Sequence, residues 1–336
     1  MSATAPIVVF TFNRPDHTRR TLAALAANPL ADRSDVTIYC DAPRRDDDVP
    51  ATEAVRAVVR EPWGFRSTRI VERDSNFGLA RSLITGIGEA LDEHPAVIVM
   101  EDDLVTSPHF LRFMNEGLEK FADDDRMMSV SGYAYPVEGP MPAAYCLPRT
   151  FCWGWATWRR GWALYEHDAE QLLVSLIESD LLYELDFRGT DPMSTILQWT
   201  VNGDSRVDSW ASRWMASATL HGKLSLFPGR TLVQNIGFDG SGAHATFNLE
   251  NDRFDSPLAE SPISLDGVRA EVDPRALEAH RTLFRRWHGR GGRVASAYFK
   301  LSPFLPAMLD RALYVRLARH RLRQRANPAT LAALGG

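Results

Sequence analysis

The chain has 336 residues, of which 45% are hydrophobic and 24% charged, and its formal net charge is -5. This composition is that of a globular protein with one large α/β domain and an appendage, or with two domains, and its acidic balance does not favour a nucleic-acid partner. Three cysteines without metal-ligand spacing, no signal peptide and no run of about 18 apolar residues predict a cytoplasmic protein with free thiols.

Short apolar runs alternate with helical patterns in the first 110 residues. The runs at 6–12, 36–40, 69–72 and 96–100 predict strands, and stretches with apolar residues at helical spacing lie between them. Strands that alternate with helices predict an α/β fold with a mostly parallel, doubly wound sheet and right-handed crossovers.

Polar residues follow each of the four predicted strands. Ligands of open α/β sheets bind at the carboxyl ends of the strands, so this convergence predicts a binding site. Taken singly, Arg14 or Asp41 could equally form a loop salt bridge or cap a helix. No glycine-rich dinucleotide fingerprint and no phosphate-binding P-loop is present, which excludes a simple dehydrogenase and a P-loop enzyme. The polar residues are Asn13 and Arg14, Asp41, Arg73 and Asp74, and Glu101 to Asp103.

Three acids, Glu101, Asp102 and Asp103, directly follow the apolar run 96–100. Like charges at the end of a buried strand raise one another's pKa unless a cation neutralises them. Oxygen ligands suit Mg²⁺ or Mn²⁺, so the acids predict a metal site that leaves positions for phosphate oxygens. The alternative is a solvated acidic turn before a helix that starts near Ser107.

The segments PIVVFTFNRPDHTRRTL, VTIYCDAP and AVIVMEDDLVTSPHFLRFM resemble the GT-A class of nucleotide-sugar glycosyltransferases. The likeness is to the N-acetylglucosaminyltransferase I type and to bacterial family 2-like enzymes. It implies that Asp103 binds Mn²⁺ or Mg²⁺, that Asp41 contacts uracil and so favours a UDP-sugar, and that Arg14 reaches the donor. The full set of implied donor contacts is Phe12, Asn13, Arg14, Asp41, Arg81, Glu101, Asp102 and Asp103.

Tryptophans crowd the second half of the sequence, notably in FCWGWATW at 151–158. Such density is typical of a core, but Trp153 and Trp155 flank Gly154, which suits a loop beside a flat sugar face. The resemblance likewise implies that Trp153, Gly154 and Trp155 line the donor–acceptor cleft. A glycine-rich segment ending at His244 resembles a loop that closes over the donor, which would make His244 a metal or diphosphate contact; a surface histidine is the alternative.

The stretch Val207-Asp208-Ser209-Trp210 resembles the acid-acid-tryptophan element of the same enzymes, whose first acid is the catalytic base. We therefore predict Asp208 as the base and Trp210 as a neighbour of the acceptor. The alternative is that Asp208 caps a helix that begins at Trp210. If Asp208 is not the base, Asp191 or Asp204 is the next candidate.

The carboxyl-terminal part is basic. Beyond Asp310 there is no acid, whereas arginines occupy positions 311, 316, 319, 321, 323 and 325, and Leu309, Leu313 and Leu317 recur at helical spacing. We divide the chain into a catalytic domain at 1–255, with a donor half at 1–110 and an acceptor half at 111–255, and a helical extension at 256–336. The extension either docks on the domain or binds the anionic inner face of the cytoplasmic membrane.

These features together predict a metal-dependent, inverting glycosyltransferase. It would move a hexosyl or N-acetylhexosaminyl unit from a nucleotide-diphosphate donor to a glycan or lipid-linked acceptor, in the synthesis of bacterial envelope polysaccharide. A catalytically silent nucleotide-sugar- or glycan-binding protein is the alternative from another class. A sugar-phosphate nucleotidyltransferase is disfavoured, because Asn13-Arg14-Pro15 has no glycine.

Overall fold

The computed structural model describes residues 4–203, 209–239, 254–288 and 293–335. The strands are β1 (Ile7–Thr11), β2 (Asp35–Cys40), β3 (Ser67–Glu72), β4 (Ala96–Glu101), β5 (Leu104–Thr106), β6 (Met127–Ser131), β7 (Ala144–Leu147), β8 (Trp155–Trp158), β9 (Leu224–Pro228) and β10 (Val233–Asn235). The helices are α1 (Pro15–Ala26), α2 (Val49–Val59), α3 (Gly78–Glu93), α4 (Phe110–Lys120), α5 (Arg159–Trp162), α6 (Ala169–Glu178), α7 (Leu182–Leu185), α8 (Met193–Val201), α9 (Trp210–Leu220), α10 (Pro274–His288), α11 (Arg293–Leu301), α12 (Ala307–Arg323) and α13 (Pro328–Ala333).

Eight of the described strands form one sheet in the order β3-β2-β1-β4-β8-β6-β9-β7. The first four pair in parallel, with Ile7 opposite both Val36 and Ile98, so the predicted parallel α/β arrangement is confirmed. β8 runs antiparallel to β4 and β6, and β7 runs antiparallel to β9, which makes the second half of the sheet mixed. The small sheet of β5 and β10 is also antiparallel.

The centre of the sheet explains the long apolar runs of β1 and β4. All five residues of β1 are buried, as are the first five of β4, because helices cover both faces. Ile7 and Val9 face the core beneath α1, α2 and α4, whereas Val8 and Phe10 face the core beneath α3 and α9. The close approach of α3 requires Gly86, where a Cβ would lie 2.7 Å from the Phe10 ring.

The carboxyl-terminal helix α12 docks on the acceptor half. Its buried residues are Asp310, Tyr314, Ala318 and Leu322, which pack with α6, α7, α8 and α9. Two of the three leucines predicted for the apolar face, Leu313 and Leu317, are partly buried and pack against this cluster, whereas Leu309 is exposed. The predicted domain boundary at residue 255 thus separates segments that share one hydrophobic cluster.

Several arginines of α12 are held by the protein itself. Arg311 pairs with Asp180 and Glu184, and Arg321 pairs with Asp186. The basic helix is thus docked on the domain, which is one of the two arrangements expected for it, and these two arginines face carboxylates of the protein. None of the helices in the described ranges combines the length and the hydrophobicity needed to cross a bilayer.

Candidate functional site

A cavity of about 620 Å³ opens where β1, β2 and β4 end. Its walls come from the β1–α1 turn, the loop 44–48, the end of β4, and the segment 235–238. Every implied donor contact except Arg81 lines it, so the parallel sheet does bring these distant residues together: they are Phe12, Asn13, Arg14, Asp41, Glu101, Asp102 and Asp103.

Two of the three acids at the end of β4 pair with one cation. The guanidinium of Arg14 pairs with Asp102 and, at 2.9 Å, with Asp103. Burial, followed by the charges of Asp103 and Asp102, raises the pKa of Glu101 to about 8. Burial also raises the pKa of Asp102 to about 6, although Arg14 opposes that rise. The cluster therefore retains excess negative charge at the cavity wall, which favours a further cation.

The acids do not form a preformed metal cage. Within the part of the chain that the structure describes, no three His, Cys, Asp or Glu side chains group as metal ligands. Asp103 lies at the cavity wall with its side chain 15% exposed. A hard divalent ion keeps several positions for waters and substrate phosphates, so Asp103 fits an ion that the donor completes. His244, the other predicted ligand, falls outside the described residues.

A hydrogen-bonded turn fixes the position of the acids. The hydroxyl of Thr21 in α1 donates to the carbonyl of Asp102 at 2.9 Å and accepts from the N–H of Leu104 at 3.1 Å. β5 then pairs with β10, and the N–H of Ile236 donates to the carbonyl of Asp103 at 2.8 Å. Helix α1 and strand β10 thereby hold the acidic turn from two sides.

The segment after β10 lies directly over the acids. At Gly237 a Cβ would overlap the carboxylate of Asp103 and lie 3.0 Å from Arg14 Nη1, so any other residue there would displace these two side chains. His17 holds this segment, because its Nε2 is 3.2 Å from both the Ile236 carbonyl and the Asp239 carboxylate. Sequence reasoning missed His17, since a histidine in the first turn of a helix carries no distinctive signal.

The loop 44–48 supplies further cavity residues that sequence reasoning missed. The Arg44 guanidinium lies 5.0 Å from the centre of the Phe12 ring, and the Asn13 amide donates to Asp48 at 3.2 Å. Arg45 also lines the cavity. The signal was a charged run directly after a strand of a parallel sheet, but such a run is also typical of a solvated loop.

Asp41 anchors α3 as well as bordering the cavity. Its carboxylate accepts the backbone N–H groups of Ala42 at 3.0 Å and of Phe77 and Gly78 at 2.8 Å. Asp41 therefore has the helix-capping role that was left open for it. Any contact with a nucleotide base would involve a carboxylate that already accepts three backbone N–H groups. Arg81 does not line the cavity; its guanidinium stacks 4.0 Å from the centre of the Phe77 ring.

The predicted aromatic cleft divides into two parts. Trp153 lines the cavity, with its ring centre 5.5 Å from that of Phe238. Trp155 and Trp210 instead lie buried and stacked 5.7 Å apart in the core, so the expectation that they line the cleft is not met. Gly154 explains the difference: its φ of +57° turns the backbone just before β8 begins, so that the two flanking tryptophans point into different environments.

The predicted base, Asp208, lies outside the described residues, as does Asp204. The cap of α9 is Ser209, whose hydroxyl accepts the N–H of Ser212 at 3.1 Å, so the alternative in which Asp208 caps this helix was wrong. Asp191 is buried and pairs with Arg149 at 2.5 Å and His288 at 3.1 Å.

The environment of Asp191 disfavours it as a replacement base. Burial would raise the pKa of Asp191, but the charge of Arg149 and the hydrogen bond from His288 outweigh burial and hold this pKa far below its ordinary value. A lowered pKa makes a carboxylate a weaker base towards an acceptor hydroxyl. Asp191 is instead part of a structural ion-pair network.

Residues 7–138 match the family model described as Glycosyl transferase family 2. That segment contains the first four strands and the acidic turn, so it covers the structural elements that build most of the cavity. The match supports, for this segment, the expected resemblance to glycosyltransferases.

Three solved structures are similar at low scores. A mannosyltransferase from Pyrobaculum calidifontis, crystallised with GDP-Man and Mn²⁺, is 15% identical, with 99% of this chain and 79% of that chain covered and a TM-score of 0.35. TarS from S. aureus is 11% identical, with coverage of 98% and 50% and a TM-score of 0.40. Glucosyl-3-phosphoglycerate synthase from Mycobacterium tuberculosis is 13% identical, with coverage of 51% and 59% and a TM-score of 0.28. Alignments at these scores do not extend the assignment beyond residues 7–138.

Proposed function

We propose that this chain, a glycosyltransferase through its family 2 segment, is a metal-dependent inverting enzyme. It transfers a hexosyl or N-acetylhexosaminyl unit from a nucleotide-diphosphate sugar, with UDP-sugars favoured, to a glycan or lipid-linked acceptor. The observation that carries this proposal is the acidic end of β4, which shares a single arginine at the wall of a large cavity. We assign the product to bacterial envelope polysaccharide and the enzyme to the cytoplasmic side of the membrane.

The size and lining of the cavity support a nucleotide-sugar donor. A volume of about 620 Å³ lies within the range of small-molecule and cofactor sites. Phe12 with Arg44 offers a flat, cationic wall for a base, and Arg14 stands beside the acids where a diphosphate would lie. Trp153, which also lines the cavity, supplies an apolar face for a sugar ring.

The metal, Mn²⁺ or Mg²⁺, would be held by Asp103 and the donor phosphates, with His244 as a second protein ligand. When bound, it would stabilise the negative charge that develops on the leaving diphosphate. Arg14 orients Asp102 and Asp103 before the donor arrives and adds a positive charge beside the phosphates. Glu101 and Asp102 accept hydrogen bonds from the ribose and sugar hydroxyls.

Asp208 acts as the general base of the transfer. Its carboxylate takes the proton of the acceptor hydroxyl while that oxygen attacks the anomeric carbon and the bond to the diphosphate breaks. One displacement inverts the anomeric centre, so no protein nucleophile is required.

A nucleotide-release assay tests the proposal. The full chain is incubated with UDP- or GDP-sugars and a glycan acceptor, with Mn²⁺ or with a chelator, and free nucleotide diphosphate and product are measured. We expect release only with metal, and loss of release in Asp103→Asn but not in Asp123→Asn, which changes an exposed acid after α4. Donor that binds but is never cleaved would identify a silent binding protein instead.

A further inference from the structure

The turn between α11 and α12 exposes a cluster of large apolar side chains. Phe304 is 82% exposed, Met308 85%, Leu309 58% and Leu301 50%. We call these four residues the apolar corner. Other exposed large apolar side chains of the described chain, Val49, Leu79 and Leu331, are only 40–41% exposed and lie in other elements. A cluster of this kind, unlike scattered surface residues, is typical of a binding surface.

The apolar corner rests on a rigid support. The buried carboxylate of Asp310, next to Leu309, accepts the hydroxyls of Tyr183 at 2.7 Å and Tyr298 at 2.8 Å, and pairs with Arg281 at 3.2 Å. These partners come from α7, α11 and α10, so four helices meet directly behind the corner. The exposure of its side chains is therefore built into the fold and does not result from a frayed end.

The two helices that form the corner carry exposed positive charge. From Ala279 to the carboxyl end, Asp310 is the only acid, and it is buried. The exposed side of α12 continues from Met308 and Leu309 to Arg316, and Lys300 is exposed on the other side of the turn. Arg311 and Arg321, by contrast, pair with acids of the protein. The corner thus combines exposed apolar groups with exposed cations and no exposed acid of its own elements.

We propose that the apolar corner binds an anionic phospholipid bilayer. Phe304 and Met308 enter the boundary between headgroups and acyl chains, while Lys300 and Arg316 face the lipid phosphates. A stable protein interface needs roughly 20–30 residues a side, far more than this corner presents, whereas an interfacial anchor needs only a few large apolar side chains and nearby cations. The inference rests on the proposed function only in its purpose, which is to bring the active site to a lipid-linked acceptor.

Vesicle co-sedimentation with the full chain tests the corner. Vesicles of equal parts phosphatidylcholine and phosphatidylglycerol are compared with phosphatidylcholine alone. We expect the double variant Phe304→Ser/Met308→Ser to bind anionic vesicles at least about tenfold more weakly than wild type. The matched control Leu331→Ser changes an exposed apolar residue on α13 and should bind as wild type does. Arg316→Gln should weaken binding only to the anionic vesicles, and added salt should do the same.

The outcomes separate this inference from the proposed function. Equal vesicle binding by wild type and the double variant, or no binding by wild type, overturns it. Loss of a dimer in light scattering without an effect on vesicles also overturns it, because a second copy would then cover the corner. Nucleotide release with a soluble acceptor is measured in parallel: the double variant should retain it, and a wild type that binds vesicles but releases no nucleotide would sink the proposed function alone.

Discussion

Two groups of buried acids in this molecule have opposite surroundings. At the cavity, burial and the charges of neighbouring acids raise the pKa values of Glu101 and Asp102, although Arg14, which pairs with Asp102 and Asp103, opposes the rise. Such mutual repulsion reduces stability, and the fold gains nothing from it unless a ligand adds positive charge.

In the carboxyl-terminal half, each buried acid is surrounded by donors. Asp310 receives two tyrosine hydroxyls and pairs with an arginine, and Asp191 pairs with Arg149 and His288. The difference teaches that burial alone does not mark a functional acid. Acids crowded by other acids at a cavity bind ligands, whereas acids saturated by donors hold helices together.

The largest effect on transfer is expected at Asp208, which belongs to neither group of acids. Its substitution tests whether the catalytic base is a residue outside both groups. Asp208→Asn keeps the shape but cannot accept the proton, so transfer should fall about 10²- to 10⁴-fold while donor affinity stays near wild type. Single-turnover transfer at saturating donor measures this. A loss below about tenfold would move the base to another residue, with Asp204 next to test.

Asp191→Asn tests whether an acid surrounded by donors stabilises the fold. The substitution leaves the buried Arg149 without its counter-ion, so the free energy of unfolding should fall by about 3–5 kcal/mol. Donor affinity of the folded protein should not change, because Asp191 does not line the cavity. Urea unfolding measures the first quantity and calorimetry the second. The exposed control Asp123→Asn should change stability by less than about 0.5 kcal/mol.

His280 gives the carboxyl-terminal half a pH dependence of its own. Its Nδ1 donates to the Ala276 carbonyl at 2.7 Å and its Nε2 lies 3.4 Å from the Tyr145 hydroxyl, while burial lowers its pKa from 6.5 to about 4. The folded state thus favours the neutral ring, so this stabilisation is present above about pH 6.5 and is lost as the pH falls towards 4.

The expected loss amounts to about 3 kcal/mol, since each unit of pKa corresponds to about 1.4 kcal/mol. Comparison of urea unfolding in wild type and His280→Gln across this range isolates the histidine from other titrating groups. Parallel stability curves for the two proteins would show that His280 titrates normally.

The smallest change in stability is expected at Asp103. Asp103→Asn relieves repulsion in the acidic cluster, so the free energy of unfolding should not fall. Nucleotide diphosphate binding should nevertheless lose its response to Mn²⁺, which corresponds to at least about tenfold, or 1.4 kcal/mol, in the presence of metal. Calorimetric titration with and without Mn²⁺ tests this, and an undiminished metal response in the variant would remove Asp103 from the metal site.

The donor half could be predicted from sequence because its signals are local. The apolar run 96–100 and the acids after it specify a buried strand with a polar carboxyl end, and parallel pairing then places Arg14 beside Asp103. Physical chemistry connects each step, since the ends of parallel strands meet at one edge of the sheet.

Two other features could not be predicted, because each depends on distant partners or on one backbone angle. The burial of Asp310 is tolerated only because Tyr183, Tyr298 and Arg281 converge on it from three other helices. Its position in turn decides which face of α12 is buried. The tryptophans on either side of Gly154 lie in different environments, one at the cavity and one in the core, because of a single positive φ.

The positive φ of Gly154 has a consequence for tryptophan fluorescence. Trp153 borders the cavity, whereas Trp155, Trp210 and Trp214 are packed against one another in the core. Indole emission depends on local polarity and on neighbouring groups, so a ligand that enters the cavity should perturb Trp153 while the core tryptophans provide a constant background. Trp153 is therefore an intrinsic fluorescent reporter of cavity occupancy, which needs no dye and no change to the chain.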